Sequence, residues 1–213
     1  MGIPLLLAAI LATAAPAREK LTAPDASEVR KVATEAVLED IQAGNLDAAE
    51  KNARQLLKDL PDDPAVLNLL GSVQTKKKDY AAARETFGKA LAAEPGFFPA
   101  QFNLGELLFL EKDYAGARSH FAAMRRDDPK NELLQFKLVL CDIQAGDDDR
   151  ARRVLRAIRY PGDSPAWYYA QAAWENKQGN PKKARKLVAT AREIFGEKTA
   201  LFDESFQGLG LPF

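Results

Sequence analysis

LGSVQTKKKDYAAARETFGKALAAEP at residues 70–95 is answered by LGELLFLEKDYAGARSHFAAMRRDDP at residues 104–129. The two stretches align without a gap at a displacement of 34 residues. Leu70-Gly71, Asp79-Tyr80, Ala83, Phe87, Ala90 and Pro95 fall on Leu104-Gly105, Asp113-Tyr114, Ala117, Phe121, Met124 and Pro129. A fixed period of this size marks a repeat architecture. Each copy is one supersecondary unit that cannot bury its apolar face alone, and stacking neighbours completes the core. No alternating apolar pattern suggests strands.

The period runs beyond these two copies. Asn45 stands 34 residues before Asp79, Asp147 stands 34 after Asp113, and Asn180 follows 33 further on. Each of the five precedes a helix-compatible run, where a short side-chain oxygen can accept from the open N–H groups of a first helical turn. Gly44, Gly146 and Gly179 stand just before three of them, suited to the left-handed residue that ends a preceding helix. Four residues after each Asx comes an alanine: Ala49, Ala83, Ala117, Ala151 and Ala184. A small side chain is wanted where two antiparallel helices cross at close range.

These landmarks predict five helix-turn-helix units over residues 30–63, 64–97, 98–131, 132–164 and 165–198. Breakers mark the joints: Pro61 and Pro64, Pro95 and Pro99, Pro129, Pro161 and Pro165. Asp63-Pro64 and Ser164-Pro165 read as an N-cap followed by proline at the first helical position. The outer units fit less well, with Val37 and Ala172 at the place of the crossing glycine. A terminal repeat is packed on one side only, so degeneracy there is expected.

The order and spacing of these residues resemble the tetratricopeptide repeat over about residues 30–198. The resemblance implies an all-α, right-handed superhelical solenoid of about five repeats, with a short C-terminal capping helix. It also implies that the first helix of each pair lines a concave groove where a peptide or protein surface binds. Few members are enzymes in the repeat region. Some grip a C-terminal carboxylate with Lys, Asn and Arg side chains on three consecutive first helices. Asn103 and Lys137 match two of those places here, whereas Asn68, Ser72 and Leu133 stand where Lys, Asn and Lys would be needed.

In each first helix one stripe packs on the partner helix, and a second stripe, offset by two residues, faces the other way. That second stripe reads Ala65, Asn68, Ser72, Thr75 in the second unit and Pro99, Phe102, Glu106, Phe109 in the third. It continues as Leu133, Phe136, Leu140, Ile143 in the fourth and Ala166, Tyr169, Ala173, Asn176 in the fifth. The candidate partner-binding residues are therefore Phe102, Phe109, Leu133, Phe136, Leu140, Ile143 and Tyr169. Two roles stand open for them: aromatic and aliphatic anchors for a partner, or packing between adjacent helices.

Composition excludes several classes of function. Thirty Lys and Arg balance thirty Asp and Glu, so no global field favours nucleic acid. Apolar residues make up 46% and charged residues 28%, as in an ordinary globular chain. His120 is the one histidine and Cys141 the one cysteine, which leaves no metal cluster and no internal disulfide to build. Cys141 lies among Leu138, Val139, Leu140 and Ile143 and reads as a small buried hydrophobe. No catalytic site, cofactor or phosphate-cradling loop is expected.

Residues 1–17 differ from the rest. They carry no charged side chain, and Ala15-Pro16-Ala17 places small residues before Arg18. This reads as a secretory signal cleaved after Ala17. As a helix the apolar stretch Ile3 to Ala15 would span roughly 20 Å, short of a ~30 Å hydrocarbon core. The expectation is a periplasmic or secreted bacterial protein, with residues 18–29 leading into the repeats and 199–213 forming a cap and tail. Basic runs at Arg150–Arg159 and Lys182–Lys186 read as solvated helix faces. In the tail, Leu201, Phe202 and Phe206 share one face of a short helix. Leu209, Leu211 and Phe213 follow as an apolar end that folds back or mediates self-association. The functional expectation is a non-catalytic interaction scaffold or adaptor of the cell envelope. The alternative is a structural subunit that mainly self-assembles.

Overall fold

The computed structural model describes residues 26–211, with side chains from residue 31 onward; the expected leader at 1–17 lies outside them. Ten helices follow one another in short-linked pairs. They are α1 (Ala26–Ala43) with α2 (Leu46–Asp59), α3 (Pro64–Lys76) with α4 (Tyr80–Ala93), and α5 (Phe98–Leu110) with α6 (Tyr114–Asp127). Next come α7 (Glu132–Gln144) with α8 (Asp148–Ala157), and α9 (Ala166–Lys177) with α10 (Pro181–Phe195). A 3₁₀ turn at Gly196–Thr199 leads to a last helix, α11 (Ala200–Gly208). No strand occurs among the described residues. The chain divides into two compact units, with the division at Leu104/Gly105 inside α5.

The turn within each pair is built the same way five times. A residue in the left-handed region ends the first helix, and the next amide donates to a carbonyl five residues back. Gly44, Gly146 and Gly179 hold φ near +80°, and the same position in the second and third turns is taken by Lys78 and Lys112 at φ +64°. The Asp113 amide reaches the Leu108 carbonyl at 3.0 Å, and the Asp79 amide reaches Gln74 at 2.9 Å. Three of the Asx residues then cap the second helix: Asp79, Asp113 and Asp147 accept from Ala82, Gly116 and Arg150. Asn45 and Asn180 make no such bond. Asn180 instead donates its amide to Glu175 at 3.0 Å.

A lysine in the left-handed region carries a steric cost that glycine escapes. Lys112→Gly and Lys78→Gly are each expected to raise stability by about 0.5–1 kcal/mol, the gain being trimmed by the freer unfolded chain. Lys112→Ala keeps a Cβ and is expected to change stability by less than about 0.5 kcal/mol. Urea melts of the three variants check this.

The helix crossings explain the repeated small residues. A Cβ placed on Gly71 would lie 2.5 Å from the Phe87 ring, and one on Gly105 would lie 2.5 Å from the Phe121 ring. Each phenylalanine thus stands over the bare backbone of the helix it crosses. Ala49, Ala83, Ala117, Ala151 and Ala184 have no exposed surface, one at each second helix. The first unit's core gathers Val37, Ile41, Ala53, Leu56, Leu69 and Val73. In the second unit the core runs through Val139, Leu155, Tyr169, Ala172, Val188 and Phe206. That core includes a residue of α11, so the last helix is part of the unit.

Candidate functional site

In the second unit the first helices α7 and α9 pack side by side. The face they share carries Phe136 and Tyr169, whose rings meet edge to face at 6.4 Å. Both are fully buried, as is Leu140, while Leu133, Ile143 and Phe109 are half-buried. Phe109 rests edge-on against Tyr114 with centroids 5.2 Å apart. Phe102 belongs to the first unit, where it is fully buried and its ring lies 6.0 Å from that of Phe98. Of the seven candidate residues, six therefore lie in the second unit.

What occupies this face is α11. Its two aromatic residues share one side because they stand four apart on a helix. Phe202 lies 5.0 Å from Phe136 and 5.3 Å from Tyr169, and Phe206 lies 5.1 Å from Tyr169. Three polar contacts fix the register. The Tyr169 hydroxyl donates to Asp203 at 2.5 Å, and the Arg192 guanidinium donates to the same carboxylate at 2.7 Å. The Lys137 ammonium donates to the Ser205 hydroxyl at 2.7 Å and to Glu106 at 2.7 Å. The C-terminal helix thus reaches past the fifth pair onto α7 of the fourth. Beyond α11, Leu209 and Leu211 border a cleft of about 240 Å³ whose other wall includes Leu140, Ile143 and Ala173.

The electrostatics follow from burial. Loss of water pushes the Glu106 carboxyl above its ordinary range, and the Lys137 ammonium draws it part of the way back. One oxygen of Glu106 is buried with no hydrogen-bond partner. Burial, with the Asp203 carboxylate beside it, likewise raises the Tyr169 phenol. Cys141 is buried and its thiol is pushed well up by desolvation, the opposite of what a nucleophile needs. Among the described residues no group of three His, Cys, Asp or Glu side chains could hold a metal ion.

The two residues at carboxylate-gripping places are engaged elsewhere. Asn103 donates to Asn68 at 2.9 Å within the first unit, and Lys137 is held by Glu106 and Ser205. Part of each basic face is engaged too. Arg150 meets Asp147 at 2.7 Å, Lys183 meets Glu175 at 2.6 Å, and Arg152 stands over the Trp174 ring. Sequence reasoning passed over Asp203 and Arg192. The spacing of Phe202 and Phe206 marked an amphipathic helix, but nothing local said where it docks.

These pairs and their crossings define a class of protein. Tetratricopeptide-repeat models match residues 34–96 and 76–132, and a second such model matches 108–174. The chain belongs to the tetratricopeptide-repeat family. Cellulose synthase operon protein C of Escherichia coli is 25% identical over 178 residues, covering 80% of this chain and 15% of that protein. The chain thus spans about 15% of the length of the curated relatives it matches. Among solved structures, a thermophilic tetratricopeptide-repeat protein of Thermus thermophilus is 22% identical, with a TM-score of 0.65 over 85% of this chain and 99% of that one. PilF of Pseudomonas aeruginosa is 19% identical, with a TM-score of 0.62 over 87% and 89%. At these identities the likeness shows the fold. Proteins of this fold are generally non-catalytic scaffolds for protein interaction. No described helix is long and apolar enough to cross a membrane.

Proposed function

We propose that this chain is an interaction scaffold or adaptor of the cell envelope, exported by cleavage after Ala17, with its repeat domain over residues 30–198. The partner is a peptide or protein surface. It engages the first-helix stripe, of which Phe109, Leu133 and Ile143 are the accessible members and Phe136, Leu140 and Tyr169 the buried floor. Phe102 belongs to the same stripe in the first unit. The reading rests on one observation above all: the face formed by α7 and α9 already holds a helix and leaves beside it a cleft whose leucines and Ile143 are joined by Gln144, Asn176 and Lys177. The charge-free segment before Arg18 supports export. The relative named for a cellulose synthase operon fits a place in an envelope machine.

Affinity capture from envelope extract, read by mass spectrometry, tests the reading. Wild type is compared with the double variant Phe109→Ala/Ile143→Arg. Losing such anchors costs about 2 kcal/mol or more, so the main captured protein is expected to fall by roughly thirtyfold. Unchanged capture by a folded variant would place binding elsewhere. The half-buried Leu209 and Leu211 favour a second reading, a self-associating structural subunit. Light scattering of the mature chain separates the two, because a monomer supports the adaptor.

A further inference from the structure

We infer that α11 is a displaceable ligand held in cis, and that the partner of this face is a helix bearing the same side-chain pattern. That pattern is an aromatic residue, a carboxylate directly after it, a small hydroxyl three residues on and a second aromatic four residues on, as in Phe202, Asp203, Ser205 and Phe206. The inference rests on the scaffold reading above and names the chemistry of its partner.

Each part of the pattern has its receptor on the face. Phe136 and Tyr169 receive both rings of α11. The Tyr169 hydroxyl and Arg192 form a two-donor seat for the carboxylate of Asp203. Lys137 receives the hydroxyl of Ser205. A purely apolar cap would need none of these donors. Tyr169, Arg192 and Lys137 lie on three different helices, yet all point at one short segment.

The segment is also built to leave. A helix of nine residues does not persist alone in water, so α11 is helical only while docked. Undocking and unfolding of this segment are therefore one step, independent of the pairs beneath. Its tether is the single turn Gly196–Thr199, in which Gly196 stands at φ +54° with open space around it. Under α11 lies the Glu106–Lys137 pair, with one carboxylate oxygen unpartnered. Burying an ion pair under a permanent cap brings little stability, whereas apolar residues of equal size would serve as well or better. A surface that alternates between covered and open keeps its charges because water meets them in the open state.

A fluorescent peptide of residues 199–211 is the probe, titrated against the full chain and read by anisotropy. Wild type, whose own α11 fills the face, is expected to bind it weakly. Phe202→Ala/Phe206→Ala frees the face and is expected to bind it at least about tenfold more tightly, since apparent affinity scales with the fraction of competent protein. A peptide with both phenylalanines changed to alanine should bind neither. Equal affinity for wild type and variant overturns the inference. So does the absence of binding to a variant that melts as a folded repeat domain. Hydrogen exchange on the wild type is independent of any variant. The amides of α11 should exchange well before those of α9 and α10, and equal protection across the three overturns the inference. A wild-type dimer that exchanges α11 between copies also overturns it, by making a second copy the occupant. If partner capture still depends on Phe109 and Ile143 while the peptide fails to bind, the inference falls and the scaffold reading stands.

Discussion

Ala117→Arg lowers the stability of the fold by more than about 3 kcal/mol, because a long charged side chain enters a crossing that fits a methyl group. Ala117 has no exposed surface and sits on α6, four residues before Phe121, which is equally buried. The Phe121 ring occupies the space a Cβ on Gly105 would need. With Ala117 fully buried, an arginine there must force the crossing apart or bury its guanidinium. The complementary change, Phe121→Ala, removes the ring and leaves a cavity against α5, at a cost of about 3–5 kcal/mol. Urea melts decide both, with Lys112→Ala as the exposed control. If Ala117→Arg and the control share a midpoint, the register of α6 on α5 is wrong.

The fold was legible because its contacts repeat. A crossing needs a glycine facing a phenylalanine and an alanine nearby, and this need recurs at Gly71 with Phe87 and at Gly105 with Phe121. Periodicity turns such local requirements into a visible pattern. The left-handed Lys78 and Lys112 escaped notice because the flanking carbonyl and Asx bonds hold that turn without glycine. The candidate face was only half legible. Its aromatic stripe could be read from the offset along each first helix. Whether Phe136 and Tyr169 are open or covered depends on where a nine-residue segment docks. That is decided by Lys137 meeting Ser205 and Tyr169 meeting Asp203, pairs 68 and 34 residues apart whose types carry no signature of their own.

Arg118→Met is expected to cost about 3 kcal/mol, since it strands a carboxylate inside the second unit. Asp142 on α7 has no exposed surface, and its Oδ1 accepts from the Arg118 Nε of α6 at 2.6 Å. Its other oxygen is buried without a hydrogen-bond partner. Burial already pushes this carboxyl above its ordinary 3.8, with Arg118 and, more weakly, Arg150 holding it back while Asp147 pushes it further. Without Arg118 the folded chain retains a proton that the unfolded chain has released. A carboxyl raised in the folded state makes stability fall as pH rises from the unfolded value toward the folded one. The deficit of Arg118→Met should therefore be smaller near about pH 4 than near about pH 7.5 in urea melts. Arg118→Met/Asp142→Leu, which removes both charges, should return to within about 1 kcal/mol of wild type. A deficit below about 1 kcal/mol for the single variant would show that water reaches the pair as at a surface. The contrast with Lys137→Met is informative. Arg118 and Asp142 join two packed helices, so their loss appears as lower stability of the unit. Glu106 on α5 and Lys137 on α7 also join two helices, but they lie under α11, so losing that ammonium has a second outlet: α11 lifts, water hydrates Glu106, and the change appears first as faster exchange of the α11 amides.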